Sequence, residues 1–201
     1  PTALSNGAFL ARSLGDQTLA LTLARRMRSL NPRDPRGYRL EAAVLVDQED
    51  AIALLEVTRA GVEIAPDDPN LHYLLALAEI EAGDPLAGVP HLLAARDHGT
   101  EARDIDLWLG VAHQRAGHIA EATKHFEAAT RSMVGDPRPG AMAGVMLWKA
   151  GLCEEARPFL INVARRSGGN DPQIRQALSE CEASIAAAKS AAKSERGSPS
   201  P

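Results

Sequence analysis

The chain has 201 residues, of which 45% are apolar and 3% aromatic, enough apolar material for one domain or a short repeat array. Its formal net charge is -4, and its 22 basic residues are scattered among 26 acidic ones, which argues against a nucleic-acid partner. The sequence contains no apolar run long enough to span a membrane and no recognisable signal peptide.

Glycines recur along the chain at one spacing. Gly15, Gly83, Gly117 and Gly151 lie on a single 34-residue register, and the second unit has Glu49 at the equivalent place. A fixed period of this length is typical of repeat proteins. The register predicts five units, which cover residues 1–34, 35–68, 69–102, 103–136 and 137–170.

Each unit is predicted to consist of two antiparallel helices joined at the glycine, which supplies the positive φ of a helix terminus. Asp16 and Asp84 follow this glycine and are expected to cap the second helix, with Pro85 in its first turn. Small residues at two positions would let the paired helices approach closely. They occupy the eighth position throughout (Ala8, Ala42, Ala76, Gly110, Gly144) and the twentieth in four units (Ala20, Gly88, Ala122, Ala156).

Some second helices depart from this pattern. Leu54 occupies the twentieth position of the second unit, whose second helix is expected to begin early, near Asp50. Pro90 and Pro158 share the twenty-second position and are predicted to lie inside the second helices of units three and five. A proline there removes a hydrogen bond and bends the helix. We favour a tolerated kink on the outer face over a functional hinge.

The last part of the chain follows a different pattern. Gly168 and Gly169 predict a helix stop, and Asp171 is a candidate cap for the helix that follows. Apolar residues then recur at spacings of three and four, as expected for one amphipathic helix that covers the open end of the array. We assign 171–190 to this capping helix and 191–201 to a flexible tail.

The two cysteines, Cys153 and Cys181, have neither metal-ligand nor redox spacing. Free thiols in a reducing compartment are the favoured interpretation, with a structural disulfide as the alternative. We therefore expect a cytoplasmic protein, with the periplasm as the second possibility. The histidines show no paired ligand spacing, and the sequence contains no phosphate-binding glycine loop or nucleophile motif. The sequence predicts no catalytic residue, no metal site and no cofactor, and hence no enzyme.

The repeat pattern resembles the tetratricopeptide repeat (TPR) family. The fourth unit matches its motif best, with Leu109-Gly110, Gly117, Glu121-Ala122, Phe126 and Ala129 at the expected places. The second unit matches least, since Glu41 replaces a leucine. The resemblance implies an all-α fold: an alpha-alpha superhelix (TPR solenoid) of five helix-turn-helix repeats plus a C-terminal capping helix.

In this family the first helix of each unit lines a concave surface that holds another protein or peptide. The resemblance therefore implies an exposed groove, although the next unit or the capping helix is an alternative cover for some of its side chains. Polar residues flank this groove, among them Glu81, Asp104 and Arg115. Its predicted members are Phe9, Arg39, Val46, Tyr73, Leu77, Ile80, Leu107, Val111, Gln114, Val145 and Trp148.

The leading hypothesis is a non-catalytic scaffold or adaptor that binds an apolar or amphipathic segment of a partner protein. A weaker resemblance, over residues 106–185, is to bacterial type III secretion chaperones with TPR repeats. A third possibility is the TPR region of a larger envelope export machine or transferase. A homodimer is also compatible with the sequence.

Overall fold

The computed structural model describes residues 2–196, and in this range it contains eleven α-helices and no strand. Short turns connect the helices, so that each packs against a neighbour along the chain. The helices are α1 (Thr2–Ser13), α2 (Gln17–Leu30), α3 (Pro35–Asp47), α4 (Ala51–Ile64), α5 (Pro69–Glu81), α6 (Gly88–Asp97), α7 (Ile105–Arg115), α8 (Ile119–Ser132), α9 (Arg138–Lys149), α10 (Cys153–Arg166) and α11 (Pro172–Arg196).

The predicted turns at the periodic glycines are confirmed. Gly15, Gly83, Gly117 and Gly151 have φ values of 81°, 96°, 79° and 76°, and each lies between two helices. Glu49 adopts φ 56° at the equivalent place, which makes it the one non-glycine residue with positive φ in the described part of the chain. The repeat therefore imposes a left-handed turn even where the sequence offers a side chain that disfavours it.

Two of the predicted helix starts are also confirmed. The Asp16 carboxylate accepts a hydrogen bond from the backbone N–H of Leu19 at 2.9 Å, and α2 begins at the next residue after Asp16. Asp50 accepts from the N–H of Ala53 at 3.1 Å, so α4 begins early, as expected. Both contacts satisfy a backbone donor that has no partner within the helix.

The start of α6 differs from the prediction. This helix begins only at Gly88, so Pro90 lies in its first turn instead of its interior, and Pro85 belongs to the preceding turn. Pro90 has no N–H to bond the carbonyl of residue 86, so a helix that began earlier would lack this hydrogen bond. Asp84 consequently does not cap α6. Pro158, by contrast, lies inside α10 as predicted.

The chain divides into two compact units, Pro1–Ala116 and Gly117–Pro201. In the first unit the seven helices from α1 to α7 pack in sequence. Buried side chains of α3, α4 and α5 form its central core: Tyr38, Ala42, Leu45, Leu54, Val57, Leu71 and Ala78. Gly88 shows how tight such packing is, since a Cβ there would lie 2.8 Å from the carbonyl oxygen of Ala76.

The second unit contains α8 to α11, and its buried side chains include Phe126, Leu160 and Ile174. Cys153 at the start of α10 forms a disulfide with the buried Cys181 of α11, with 4.8 Å between their Cα atoms. The expectation of free thiols is therefore wrong. The packing of α11 on α10 brings together two cysteines that are 28 residues apart in sequence.

The capping helix α11 reaches Arg196 and so continues past the predicted boundary at residue 190. The remainder of the predicted tail, 197–201, lies outside the described residues. The division of 1–170 into five repeats stays a prediction.

Among residues 2–196, no helix is both long enough and apolar enough to cross a membrane.

Candidate functional site

The predicted groove residues differ widely in accessibility. Ile80 has no exposed surface, and its prediction as an accessible groove side chain is wrong. Leu77, Leu107 and Val111 are also buried, so none of them offers a wide apolar surface. The helical periodicity placed these residues on the right helices, but close packing encloses their side chains. A continuous apolar groove along the first helices is therefore not present within the first unit.

A more local concavity lies in the first unit. It has a volume of about 560 Å³ and is bounded by the end of α3, the start of α4, α5 and α7. Two of its lining residues, Val46 and Leu77, were predicted as groove members. We call this concavity the α3–α7 cleft, and its complete lining is Leu45, Val46, Glu49, Asp50, Ala51, Leu54, Leu77, Glu81 and Trp108.

Trp108 is the largest side chain in the cleft, and a carboxylate fixes its position. The indole Nε1–H donates to Oδ2 of Asp104 at 3.2 Å, one helical turn away along the chain. The same carboxylate accepts a hydrogen bond from the Tyr73 hydroxyl, 3.0 Å from each of its oxygens. Asp104 thus links α5 to α7 and presets the orientation of the ring, which lowers the entropic cost of using it as a contact.

The rim of the cleft is acidic. Glu49 and Asp50 lie at its edge and form no ion pair within the described residues. Glu81 is paired with Arg115, whose Nη2 lies 2.8 Å from Oε1, while Nη1 of the same arginine donates to the Ile80 carbonyl at 2.6 Å. The cleft therefore combines an apolar lining with two carboxylates that form no ion pair with any described residue.

The remaining predicted members lie elsewhere. Phe9 is exposed on α1, and Gln114 is half-buried on α7. Arg39 is held by Asp68, with Nη1 and Oδ2 3.2 Å apart. None of these three lines the α3–α7 cleft.

Val145 and Trp148 belong to α9 of the second unit, and both are half-buried. The Trp148 indole donates to Oε2 of Glu180 on α11 at 2.9 Å. The second unit thus has its own tryptophan held by a carboxylate.

A histidine cluster lies between α5 and α6 of the first unit. The Nδ1 atoms of His72 and His91 are 3.0 Å apart, and Nε2 of His72 lies 2.7 Å from the carbonyl oxygen of Pro66. Since a carbonyl only accepts, His72 carries its proton on Nε2 and, when neutral, accepts at Nδ1 from His91. Nε2 of His91 is then unprotonated and lies 3.8 Å from Oε2 of the buried Glu79.

Burial shifts both titrating groups of this cluster toward neutrality. Burial lowers the pKa of His91, and the neighbouring His72 and Arg59 lower it further. Burial also raises the pKa of Glu79, an effect that Arg59 opposes. Within residues 2–196, no three histidine, cysteine, aspartate or glutamate side chains are arranged to hold a metal ion.

Sequence reasoning missed Trp108, the central side chain of the cleft. It occupies the sixth position of its unit, outside the positions that the family resemblance marks as groove-lining. The i, i+4 spacing of Asp104 and Trp108 was a usable signal, because it brings both side chains to one face of a helix.

Several solved structures share the arrangement of helices. A crystal structure of MamA superposes with a TM-score of 0.73 over 83% of this chain and 91% of its own, at 17% identity. MamA from Desulfovibrio magneticus RS-1 gives a TM-score of 0.76 at 14% identity, over 85% of this chain and 96% of its own. YrrB, described as a TPR protein with an unusual peptide-binding site, gives 0.72 at 19% identity, over 87% and 89% of the two chains.

No protein-family model matches the chain, and a comparison with curated proteins finds no match. The structural likeness nevertheless defines the fold. The chain has the tetratricopeptide repeat fold, the all-α class of alpha-alpha superhelix predicted from its sequence.

Proposed function

We propose that the protein is a non-catalytic scaffold that binds another protein, and that the α3–α7 cleft holds a segment of this partner. The observation that carries the proposal is the cleft itself, with the preset Trp108 ring on an apolar lining. Aromatic side chains in partly enclosed sites commonly dominate interface energies. The likeness to YrrB, which is described as having a peptide-binding site, supports the same class of function.

The chemistry of the cleft favours one kind of segment. An apolar side chain would fill the space between Val46, Leu77 and Trp108, where it would be removed from water. A basic residue beside it would meet the carboxylates of Glu49 and Asp50, which form no ion pair in the part of the chain that the structure describes. The partner segment is therefore a short one in which a bulky apolar residue is flanked by lysine or arginine.

The limited size of the apolar surface distinguishes this proposal from a secretion chaperone. A chaperone that holds a long apolar segment needs a continuous accessible groove. In the first unit the predicted groove side chains Ile80, Leu107 and Val111 are enclosed, so the first helices offer no long apolar groove beside the cleft. A site for one anchoring side chain fits this geometry better.

Peptide titration tests the proposal directly. The probe is a capped peptide with one leucine between pairs of arginines, and the comparison peptide carries glutamates in place of the arginines. We expect calorimetry to detect the basic peptide alone. Trp108→Ala should weaken binding by about thirtyfold, the equivalent of roughly 2 kcal/mol for an anchoring aromatic residue.

The chain provides matched controls. Trp148→Ala removes the tryptophan of the second unit and should leave the affinity unchanged, while Trp108→Phe should retain part of it. Equal binding of the two peptides, or an equal loss in both alanine variants, would contradict the proposed cleft.

The charged rim is tested separately. Glu49→Lys should weaken binding of the basic peptide and make the remaining affinity less sensitive to salt, because rim charges act through screened attraction. Glu56→Lys on the exposed surface of α4 is the control with the same change of charge. An unchanged affinity in Glu49→Lys would show that the partner segment needs no basic residue beside its apolar anchor.

The disulfide bears on the compartment. Since such bonds persist mainly in oxidising environments, the Cys153–Cys181 pair favours the periplasm, or another oxidising compartment, over the cytoplasm. Alkylation of the protein in its native cells, followed by mass spectrometry, should find both cysteines blocked to the reagent before reduction. Full alkylation without reduction would restore the cytoplasmic expectation.

A further inference from the structure

The second unit has a concavity of its own. This pocket has a volume of about 320 Å³, within the usual range for ligand sites, and lies between α8, the start of α9 and α10. Two arginines line it, Arg131 in the last turn of α8 and Arg166 in the last turn of α10. We call it the α8–α10 pocket, and none of its lining residues belongs to the α3–α7 cleft.

Part of the pocket wall is apolar. Pro137 precedes α9, and Pro158, Phe159 and Val163 come from α10. Pro158 is exposed, so the proline that interrupts the hydrogen-bond ladder of α10 presents its ring on this surface. An apolar side chain of a ligand would be removed from water against these groups. The pocket therefore offers an apolar contact beside its charged one.

The charges of the pocket do not balance. Arg166 forms no ion pair with any residue that the structure describes. Arg131 faces only the exposed Glu127, with 4.0 Å between Nη1 and Oε2, and such a pair is weak. Asp136 also lines the pocket, but Nη2 of Arg138 lies 2.6 Å from its Oδ2 and neutralises it. Two guanidinium groups therefore share one loosely held carboxylate, which leaves an excess of positive charge.

The donors of the pocket favour a phosphate over a carboxylate. One arginine can saturate both oxygens of a carboxylate through two parallel N–H···O bonds, which would leave the other arginine without a partner. A phosphate on a side chain has three terminal oxygens and a charge of about −2, so it can accept from both guanidinium groups. The amide of Asn162, exposed on the same wall, is a further donor.

We propose that the α8–α10 pocket binds a phosphorylated segment of a partner protein. The phosphate on a serine or threonine contacts Arg131 and Arg166, and a neighbouring apolar side chain packs on Pro158 and Phe159. Both contacts are needed, because ion pairs at exposed positions contribute little on their own. Since the pocket shares no residue with the α3–α7 cleft, each site can bind without the other. Phosphorylation of the partner then decides whether the second unit holds it.

Calorimetric titration of the intact chain tests this site. The probe is a capped alanine peptide that contains phosphothreonine followed by leucine, and the comparison ligands are the same peptide without the phosphate and inorganic phosphate alone. We expect the phosphopeptide to bind at least about tenfold more tightly than either, since a hydrogen bond to a charged group contributes that much. Unmeasurable binding of the phosphopeptide would overturn the proposal, as would equal affinities for the two peptides. Inorganic phosphate that bound as tightly as the phosphopeptide would exclude the apolar contact and overturn it too.

Substitutions locate the binding in the pocket. Arg166→Gln should weaken phosphopeptide binding by about tenfold. Glu127→Gln should strengthen it, because the carboxylate that faces Arg131 is removed. The matched control is Arg175→Gln, at an exposed position of α11 outside the pocket, and this variant should bind like the wild type.

Two further measurements separate this pocket from a damaged fold and from the cleft. All variants should have the helicity of the wild type by circular dichroism, and Trp108→Ala should leave phosphopeptide binding unchanged. Equal losses in Arg166→Gln and Arg175→Gln, or weaker binding in Glu127→Gln, would overturn the proposal. A loss in Trp108→Ala as large as that in Arg166→Gln would also do so, because it would place the phosphopeptide in the first unit.

Discussion

Both compact units contain aspartate-capped helices, but only the second has helices joined by a disulfide among the described residues. In the first unit α2, α3, α4 and α5 each begin with an aspartate whose carboxylate accepts backbone N–H groups. The buried Glu41 also lies 3.1 Å from Nε of Arg25 and 3.0 Å from Nε of Arg28, which ties α3 to α2. In the second unit Asp171 accepts backbone N–H groups at the start of α11, whereas α8 and α10 begin without a side-chain cap, and a disulfide ties α10 to α11.

This difference indicates what each unit responds to. Hydrogen bonds and ion pairs depend on pH and salt, and each contributes a small amount. A disulfide depends on redox conditions and acts largely through the unfolded chain. We therefore expect that removing single hydrogen bonds or ion pairs lowers the stability of the first unit by small amounts. Opening the disulfide should lower the stability of the second unit by a larger amount.

The positions of the two tryptophans allow the units to be followed separately. Trp108 belongs to the first unit and Trp148 to the second, and the chain contains no other tryptophan. Urea unfolding of Trp148→Phe reports on the first unit through fluorescence, and unfolding of Trp108→Phe reports on the second. Each prediction below is measured in both backgrounds.

The largest effect is expected for the disulfide. Replacing Cys153 and Cys181 with serine opens a loop of 28 residues and should cost the second unit about 3–4 kcal/mol. The transition reported by Trp148 should move to lower urea, while that reported by Trp108 should not move. Adding a reducing agent to the wild type should reproduce the shift, and an unchanged Trp148 transition would show that the bridge does not stabilise this unit.

The next effect concerns the buried carboxylate. Glu41→Gln keeps the shape of the side chain but removes the charge that faces Arg25 and Arg28, and we expect a loss of about 2 kcal/mol in the first unit. The matched change is Glu127→Gln in the second unit, where the pair with Arg131 is exposed and 4.0 Å long. It should cost less than about 0.5 kcal/mol. Equal losses of unfolding free energy in the two variants would show that burial does not increase the contribution of the Glu41 carboxylate to stability.

A stabilising substitution is expected at the left-handed turn of the first unit. Glu49 adopts a φ of 56°, which is unfavourable for a residue with a side chain, so Glu49→Gly should raise the free energy of unfolding by about 1 kcal/mol. The greater conformational entropy that glycine loses on folding reduces this gain. Gly15→Ala makes the reverse change at an equivalent turn and should cost a similar amount. The midpoints of the Trp108 transition should move in opposite directions, and a decrease in both variants would contradict the strain at Glu49.

The smallest effect is expected from pH. Because the pKa of His91 is lowered in the fold, the unfolded chain binds its proton more readily, and the first unit loses stability as pH falls through 6.5. Glu79 acts with the opposite sign at lower pH, since its pKa is raised from 4.5. His91→Gln should flatten the pH dependence of the Trp108 midpoint between pH 7 and 6, and a slope equal to that of the wild type would exclude His91 as its source.

Local features were predictable from the sequence. The 34-residue register located the turn at Gly117, and the aspartates at 16 and 50 marked helix starts, because turns and caps depend on residues close together in the chain. The late start of α6 was not predicted, because Pro90 and Pro158 share one repeat position and only Pro158 lies inside its helix. The repeat position alone therefore does not fix a helix boundary.

Features that depend on tertiary packing were not predictable in the same way. Periodicity places Ile80 on a helix, but its enclosure depends on how neighbouring helices pack. The pairing of Cys153 with Cys181 depends on how closely α11 approaches α10. The spacing of the two cysteines in the sequence does not reveal this distance. The cleft around Trp108 likewise combines the ends of separate helices.

The turn at Gly168 and Gly169 lies between the two bridged cysteines, with φ values of 65° and 72° and an exposed first glycine. A protease that cut the chain at this turn would produce two pieces still joined through sulfur. The C-terminal piece would keep α11 against α10, and a denaturing gel would show a single band until thiol was added. The second unit is therefore built to survive a break in its own backbone.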